Sequence, residues 1–167
     1  TRTPVIIPKR IDKGFVDLLD EFSIKFNKII LALHTNHVDE LDESVSHKLL
    51  LLKDIPIKKL TQTVFLKDIN DSKQVLLNLF HKVLELDFTP YYLHHPDKAL
   101  GAMHFYFSLQ RGREIYNQLR DELPGWAIPH YIIDHSSGSG KQFAFNPESY
   151  QFSGKLLNKT GELLTYE

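Results

Sequence analysis

The chain of 167 residues contains no cysteine, one methionine and one tryptophan. Without thiols it can form no disulfide, thiolate zinc site, iron–sulfur ligation or cysteine nucleophile. An excess of charge of one sign is missing as well. Twenty Lys and Arg face 21 Asp and Glu, for a formal net charge of −1, which excludes a polybasic binder of nucleic acid or of a membrane surface. No apolar run approaches the roughly 18 residues of a membrane span. The opening residues, Thr1-Arg2-Thr3-Pro4, are neither a start methionine nor a signal peptide, so the chain reads as a segment of something longer. What is present, 42% hydrophobic and 25% charged residues, suits a folded protein. A chain of this length can bury about 70% of its unfolded surface.

Short apolar runs alternate with segments of helical period, the pattern of an α/β protein with a parallel sheet. Val5-Ile6-Ile7, bracketed by Pro4 and Pro8, predicts a buried strand. Ile11, Phe15, Leu18, Leu19 and Phe22 then fall on one stripe of a helix. The run 29–33 is too short for a helix and predicts a strand covered on both faces, followed by the polar cluster His34-Thr35-Asn36-His37. A helix over 43–54 carries Val45, Leu49 and Leu52. The next strand lies within 57–65, interrupted by Lys58 and Lys59. Asn70 or Asp71 is placed to cap a helix whose apolar face is Val75, Leu76, Leu79, Phe80, Val83 and Leu84. A strand over 88–93 leads into His94-His95-Pro96-Asp97, and a helix over 112–123 stops at Pro124-Gly125. Tyr131-Ile132-Ile133 predicts the last buried strand. It ends on Asp134 and a Ser/Gly loop that runs to Lys141, and the tail 150–167 suits a hairpin around Lys159-Thr160-Gly161.

In α/β folds, ligands sit at the carboxyl ends of the strands, where loops carry polar groups over a rigid core. Those positions are His34, Asn36 and His37; Gln62; Tyr91, Tyr92 and Asp97; and Asp134 with Lys141. Gly138-Ser139-Gly140-Lys141 is not a phosphate loop, because Gln142 stands where Ser or Thr is needed and Phe143-Ala144-Phe145-Asn146-Pro147 cannot start the required helix. A lysine on a glycine loop has another use: its amine can form a Schiff base with an aldehyde cofactor that the glycines let approach. The alternative is a solvated turn. Asp97 and Asp134 suit a clamp for an ammonium or guanidinium, or else each caps a loop. His34 and His37 could form half of a metal site, but no third ligand stands at suitable spacing, and hydrogen-bonding roles are the alternative. His47 and His81 fall inside helices as surface or boundary residues, and Tyr91 and Tyr92 could equally be core and rim aromatics.

Taken together, these motifs resemble the C-terminal half of the lysine 2,3-aminomutase family, radical S-adenosylmethionine enzymes that use pyridoxal phosphate. The resemblance rests on Arg2-Thr3-Pro4-Val5-Ile6-Ile7-Pro8 with Arg10-Ile11, on Leu33-His34-Thr35-Asn36-His37, and on the segment Gln62-Thr63-Val64-Phe65-Leu66-Lys67-Asp68-Ile69-Asn70-Asp71. It continues in Pro90-Tyr91-Tyr92 with Asp97, in Leu100-Gly101, in His104-Phe105, and from Asp134 to Lys141. It implies that Lys141 holds pyridoxal phosphate, that Asp97 and Asp134 bind the distal ammonium of L-lysine, and that His34, Gln62 and Tyr91 lie beside the two cofactors.

The implied reaction is a 1,2-amino migration that converts L-lysine to β-lysine, initiated by an adenosyl radical. The implied location is the cytoplasm. The family's CxxxCxxC motif for a [4Fe-4S] cluster and its arginine for the substrate carboxylate have no counterpart here, so the isolated chain is expected to be inactive. Ser72 occupies a position where some members place a zinc-binding cysteine, so no metal site is expected. That feature points to the branch that makes β-lysine for elongation factor P. The resemblance also implies the C-terminal portion of a radical S-adenosylmethionine (β/α) partial barrel with a C-terminal strand and loop extension. Residues 1–125 would be the second half of the barrel and 126–167 the segment carrying the cofactor lysine. The expected partners are the missing N-terminal half and, for an open half-barrel, a second copy of the chain; nucleic acid and membrane are not expected. The rival readings are an aminomutase for another amino acid such as glutamate, whose side chain Asp97 and Asp134 would repel, and a non-catalytic half-barrel scaffold.

Overall fold

The computed structural model describes residues 1–134 and 141–145, together with the backbone of 155–157 and 163–165. Its order is α1 (Thr3–Ile6), α2 (Lys13–Lys25), β1 (Ile30–His34), α3 (Glu43–Leu50), β2 (Lys58–Val64), α4 (Lys73–Glu85), β3 (Thr89–His94), α5 (Leu109–Arg120), β4 (His130–Asp134) and β5 (Lys141–Phe143). The pair β6 (Lys155–Leu157) and β7 (Leu163–Thr165) runs antiparallel on either side of the expected hairpin position. The four long helices each start on a side chain that accepts an amide N–H the helix cannot satisfy itself. Asp12 receives Phe15 N at 2.9 Å and Asp42 receives Val45 N at 2.8 Å. Ser72 and Ser108 do the same for Val75 and Arg111. No helix among the described residues is long and apolar enough to cross a membrane.

β1, β2, β3 and β4 run parallel in that order, and β5 adds antiparallel to the outer edge of β4. This is a mixed α/β fold, as the alternation of runs predicts, and its five-stranded sheet has strands on both sides of position 125. Side chains at paired positions share a face of the sheet. Leu33 and Thr61 pair on one face, and Leu93 pairs with Tyr131. All four are at most 1% exposed, beneath α3, α4 and α5. Each fully buried Leu or Phe there contributes about 1.5–3 kcal/mol. A second cluster packs Phe15, Val16 and Leu19 of α2 onto Ile11, Leu52, Ile55 and Ile57. The stripe of α2 centres there, so Leu18, expected on it, is 43% exposed.

Three expectations are corrected. Residues 5–7 form no strand: Pro4, with its fixed φ, opens the short helix α1, and Ile7 N bonds back to Thr3 O. β1 is not covered on both faces, because it is an outer strand with only Leu33 buried. The cap of α4 is Ser72, since Asn70 is fully buried in another role. Its side-chain oxygen accepts from Leu66 N at 2.7 Å, and its amide donates to Asn36 O and Val64 O, each at 2.8 Å. Asn36 Oδ1 in turn accepts from Val64 N, so the two asparagines tie the ends of β1 and β2 together.

Lys59, expected to interrupt β2, is instead buried within it. Its ammonium bonds the Leu52 and Lys53 carbonyls beyond α3 and pairs with Asp87 at 2.6 Å. A cation at free helix-terminal carbonyls recovers part of its desolvation cost.

Gly112 on α5 faces the Tyr131 hydroxyl so closely that a Cβ there would lie 2.0 Å from it. Gly112→Ala is therefore expected to destabilise the fold by about 2 kcal/mol or more in a denaturant titration. The loss should be smaller when Tyr131→Phe removes the oxygen. Equal losses in the two backgrounds would show that another contact sets the cost.

Candidate functional site

The period of two that buries one face turns the strand-end polar residues to the other. His34 of β1 pairs with Gln62 of β2, Gln62 with Tyr92 of β3, and Tyr92 with His130 of β4. All but the exposed His130 are half-buried. The β2–β3 register shifts between Thr61 and Gln62, so Tyr91 is an extra residue on β3. Its ring lies 4.3 Å from that of Tyr92 and 5.5 Å from that of His130.

At the far edge, the antiparallel pairing of β5 with β4 sets Lys141 opposite Asp134. The Lys141 ammonium donates to both carboxylate oxygens of Asp134, at 2.8 and 3.0 Å, and lies 5.7 Å from the centre of the Tyr92 ring. His94 Nδ1 stands 3.2 Å from Asp134 Oδ2. The bond from Lys141 holds the Asp134 carboxyl below its ordinary range. Burial lowers His94, and the Lys141 charge adds to that. His34 is also lowered, first by burial and then by Arg2, and its Nε2 is buried without a partner among the described residues.

Asp97 reaches the same region by another route. A cavity of about 290 Å³ beyond β3 and β4 is lined by His95, Asp97, Lys98, Tyr106, Ile133 and Asp134, among others. The structure therefore brings both aspartates to one cavity and places Lys141 on one of them. His34 and Gln62 lie four and three strands from Lys141, on the same face. His37 does not join the site: its Nδ1 accepts from Asp39 N at 3.2 Å, at the start of the turn Val38–Leu41. Among the described residues, no three His, Asp or Glu form a metal-binding group. The Ser136–Gly140 loop lies outside the described residues.

Sequence reasoning did not single out His94 and His95. Their signal was position: His94 follows Tyr92 by two residues on a strand and so shares its face, while His95 takes the opposite one. His95 is 6% exposed, and burial pushes its pKa down to about 4. Its Nδ1 is 2.7 Å from the hydroxyl of Tyr131, which burial raises above the ordinary tyrosine range.

Above the unfolded-state value near 6.5, His95 is neutral in both states and pH has no leverage on stability through it. As pH falls below 6.5 the unfolded chain takes up a proton that the folded chain refuses, so stability declines until about pH 4 and then levels off. Between pH 7 and 5 the expected loss through His95 is about 2 kcal/mol, with His34 and His94 adding in the same direction. Urea titrations of wild type and His95→Gln should show a shallower decline in the variant. Parallel curves would contradict this account.

No family model matches the chain. Relatives with L-lysine 2,3-aminomutase in their names do. The chain is 33% identical to the enzyme of Clostridium subterminale over 141 residues, 84% of the chain and 33% of that protein. It is 33% identical to that of Fusobacterium nucleatum over 171 aligned residues, covering 99% of the chain and 39% of the relative. With the Escherichia coli enzyme the identity is 34% over 129 residues, 77% of the chain and 37% of the relative. The chain thus spans between a third and two fifths of the length of these relatives, and over that span it belongs to the lysine 2,3-aminomutase family.

Proposed function

We propose that these residues form the part of an L-lysine 2,3-aminomutase that holds pyridoxal phosphate and the distal ammonium of lysine. The observation that carries this reading is the meeting of Lys141, Asp134 and the Tyr92 ring at the strand ends, with Asp97 lining the cavity that Asp134 shares. The residues suit the cofactor: an amine with a half-exposed side chain stands beside an aromatic ring. Farther along the same face, His34 presents a buried nitrogen with no hydrogen-bond partner among the described residues. Lys141 would anchor the cofactor, with His34, Gln62 and Tyr91 around it. Tyr92, closer to the amine, is added to that set. Bound there, pyridoxal phosphate supplies an electron sink for a migrating amino group.

This chain's own contribution is recognition and orientation. Asp134 already holds one alkylammonium, that of Lys141, through two oxygens, so the same carboxylate suits the lysine side chain. Asp97 adds a second negative charge, which favours a basic substrate and repels an acidic one. Four parallel strands with helices on one face suit part of a (β/α) barrel. On this reading residues 1–125 supply barrel units and 126–167 carry the cofactor lysine. S-adenosylmethionine and the [4Fe-4S] cluster that cleaves it belong to the remaining length of the relatives, since cysteine is absent here. The product is read as β-lysine for elongation factor P, the location as the cytoplasm, and the assembly as one that joins the rest of the barrel or a second copy.

Lysine binding measured by calorimetry with pyridoxal phosphate present tests this. Asp97→Asn or Asp134→Asn removes a charge-assisted hydrogen bond and should raise the Kd for lysine about ten- to a hundred-fold. Norleucine, which lacks the amine, should bind wild type more weakly by a similar factor and lose little further in the variants. An unchanged lysine Kd in both variants would remove the carboxylate clamp.

A further inference from the structure

His95 and Tyr131 form a buried pair that the proposed roles leave unused. Tyr131 is 1% exposed, and its hydroxyl is boxed in by Gly112, where there is no room even for a Cβ. His95 Nδ1, 2.7 Å away, is the one acceptor within reach of that hydroxyl among the described residues. If Nδ1 carried the proton and donated to the tyrosine oxygen, the phenolic hydrogen would be buried with no acceptor, which is costly. Tyr131 therefore donates to Nδ1, and the imidazole proton sits on Nε2. That N–H is itself buried and, among the described residues, unpartnered. His95 lines the cavity at the ends of β3 and β4 together with Asp97, two residues further on. Asp134, the other carboxylate of the cavity, is already held by Lys141 and His94. Among the described residues Asp97 has no hydrogen-bond or ion-pair partner.

We infer that His95 is a positioning residue: held by Tyr131 with its proton on Nε2, it donates to the Asp97 carboxylate when a primary alkylammonium enters the cavity, and so aims that carboxylate at the ligand. Adjacent histidines on opposite faces of the chain then serve the two carboxylates, His94 for Asp134 and His95 for Asp97. Burial keeps the His95 ring uncharged down to about pH 4, so it adds no cation to a site that selects one. The inference rests on the reading of Asp97 as an ammonium ligand. The tautomer does not.

The test uses the full chain with ¹⁵N-labelled histidine and pyridoxal phosphate present. Long-range ¹H–¹⁵N correlations between pH 6 and 8 should show His95 protonated on Nε2 with Nδ1 as acceptor. Lysine should shift the Nε2–H signal and slow its exchange, while norleucine should leave it in place. His95→Gln retains both bonds, its carbonyl accepting from Tyr131 and its amide donating to Asp97, and should keep the lysine Kd within about threefold. His95→Leu should weaken it about tenfold, with little further loss on adding Asp97→Asn. A proton on Nδ1 overturns the inference whatever lysine does, as does a leucine variant that binds lysine like wild type. The expected tautomer with no response to lysine in the wild type would instead overturn the functional reading, and with it the ligand named here.

Discussion

The alternation of side chains along a parallel strand is the constraint on which the rest of the molecule depends. Helices α3, α4 and α5 cover one face of the sheet, and that face takes Leu33, Thr61, Leu93 and Tyr131. A shift of one residue in β1 or β3 would bury His34 or His94 under the helices and expose Leu33 or Leu93. With the register held, His34, Gln62, Tyr92 and His94 have no choice of side. The apolar core therefore sets which polar groups meet at the strand ends, and the asparagine pair that ties β1 to β2 stabilises the arrangement where the loops begin.

The β4–β5 edge extends this logic to charge. β5 turns the chain back so that Lys141 meets Asp134, two residues seven apart in sequence that only an antiparallel return brings together. The carboxylate holds an ammonium through both oxygens while still touching His94. An aromatic ring beside the amine completes a local environment for a cation. Specificity for a basic side chain, as proposed, needs no further device than the charges already present.

Much of this was legible in the sequence, and the exceptions have physical causes. Asp97, Asp134 and Lys141 could be found because strand ends are where ligands are held, and the apolar runs 88–93 and 131–133 marked those ends. The helices were legible from period, whereas their caps Asp12 and Asp42 were not singled out. Val5-Ile6-Ile7 misled because apolar character does not distinguish a strand from one helical turn opened by proline. Lys59 misled because a buried lysine depends on carbonyls and a carboxylate from two other segments. Asn70 was read as a cap because its reach across to β1 is a tertiary fact. His95 was invisible for the same reason: its meaning lies in a hydroxyl 36 residues away.

The central claim is that Lys141 is the amine that anchors an aldehyde cofactor at this strand end, beside Asp134 and Tyr92. The direct measurement is borohydride reduction of the chain incubated with pyridoxal phosphate, followed by proteolysis and mass mapping of the stable adduct. The account expects the adduct on the peptide containing Lys141, and its loss in Lys141→Arg with no transfer elsewhere. A principal adduct on another lysine, or one on the Lys141 peptide that is no more abundant than on the surface lysines, would contradict it.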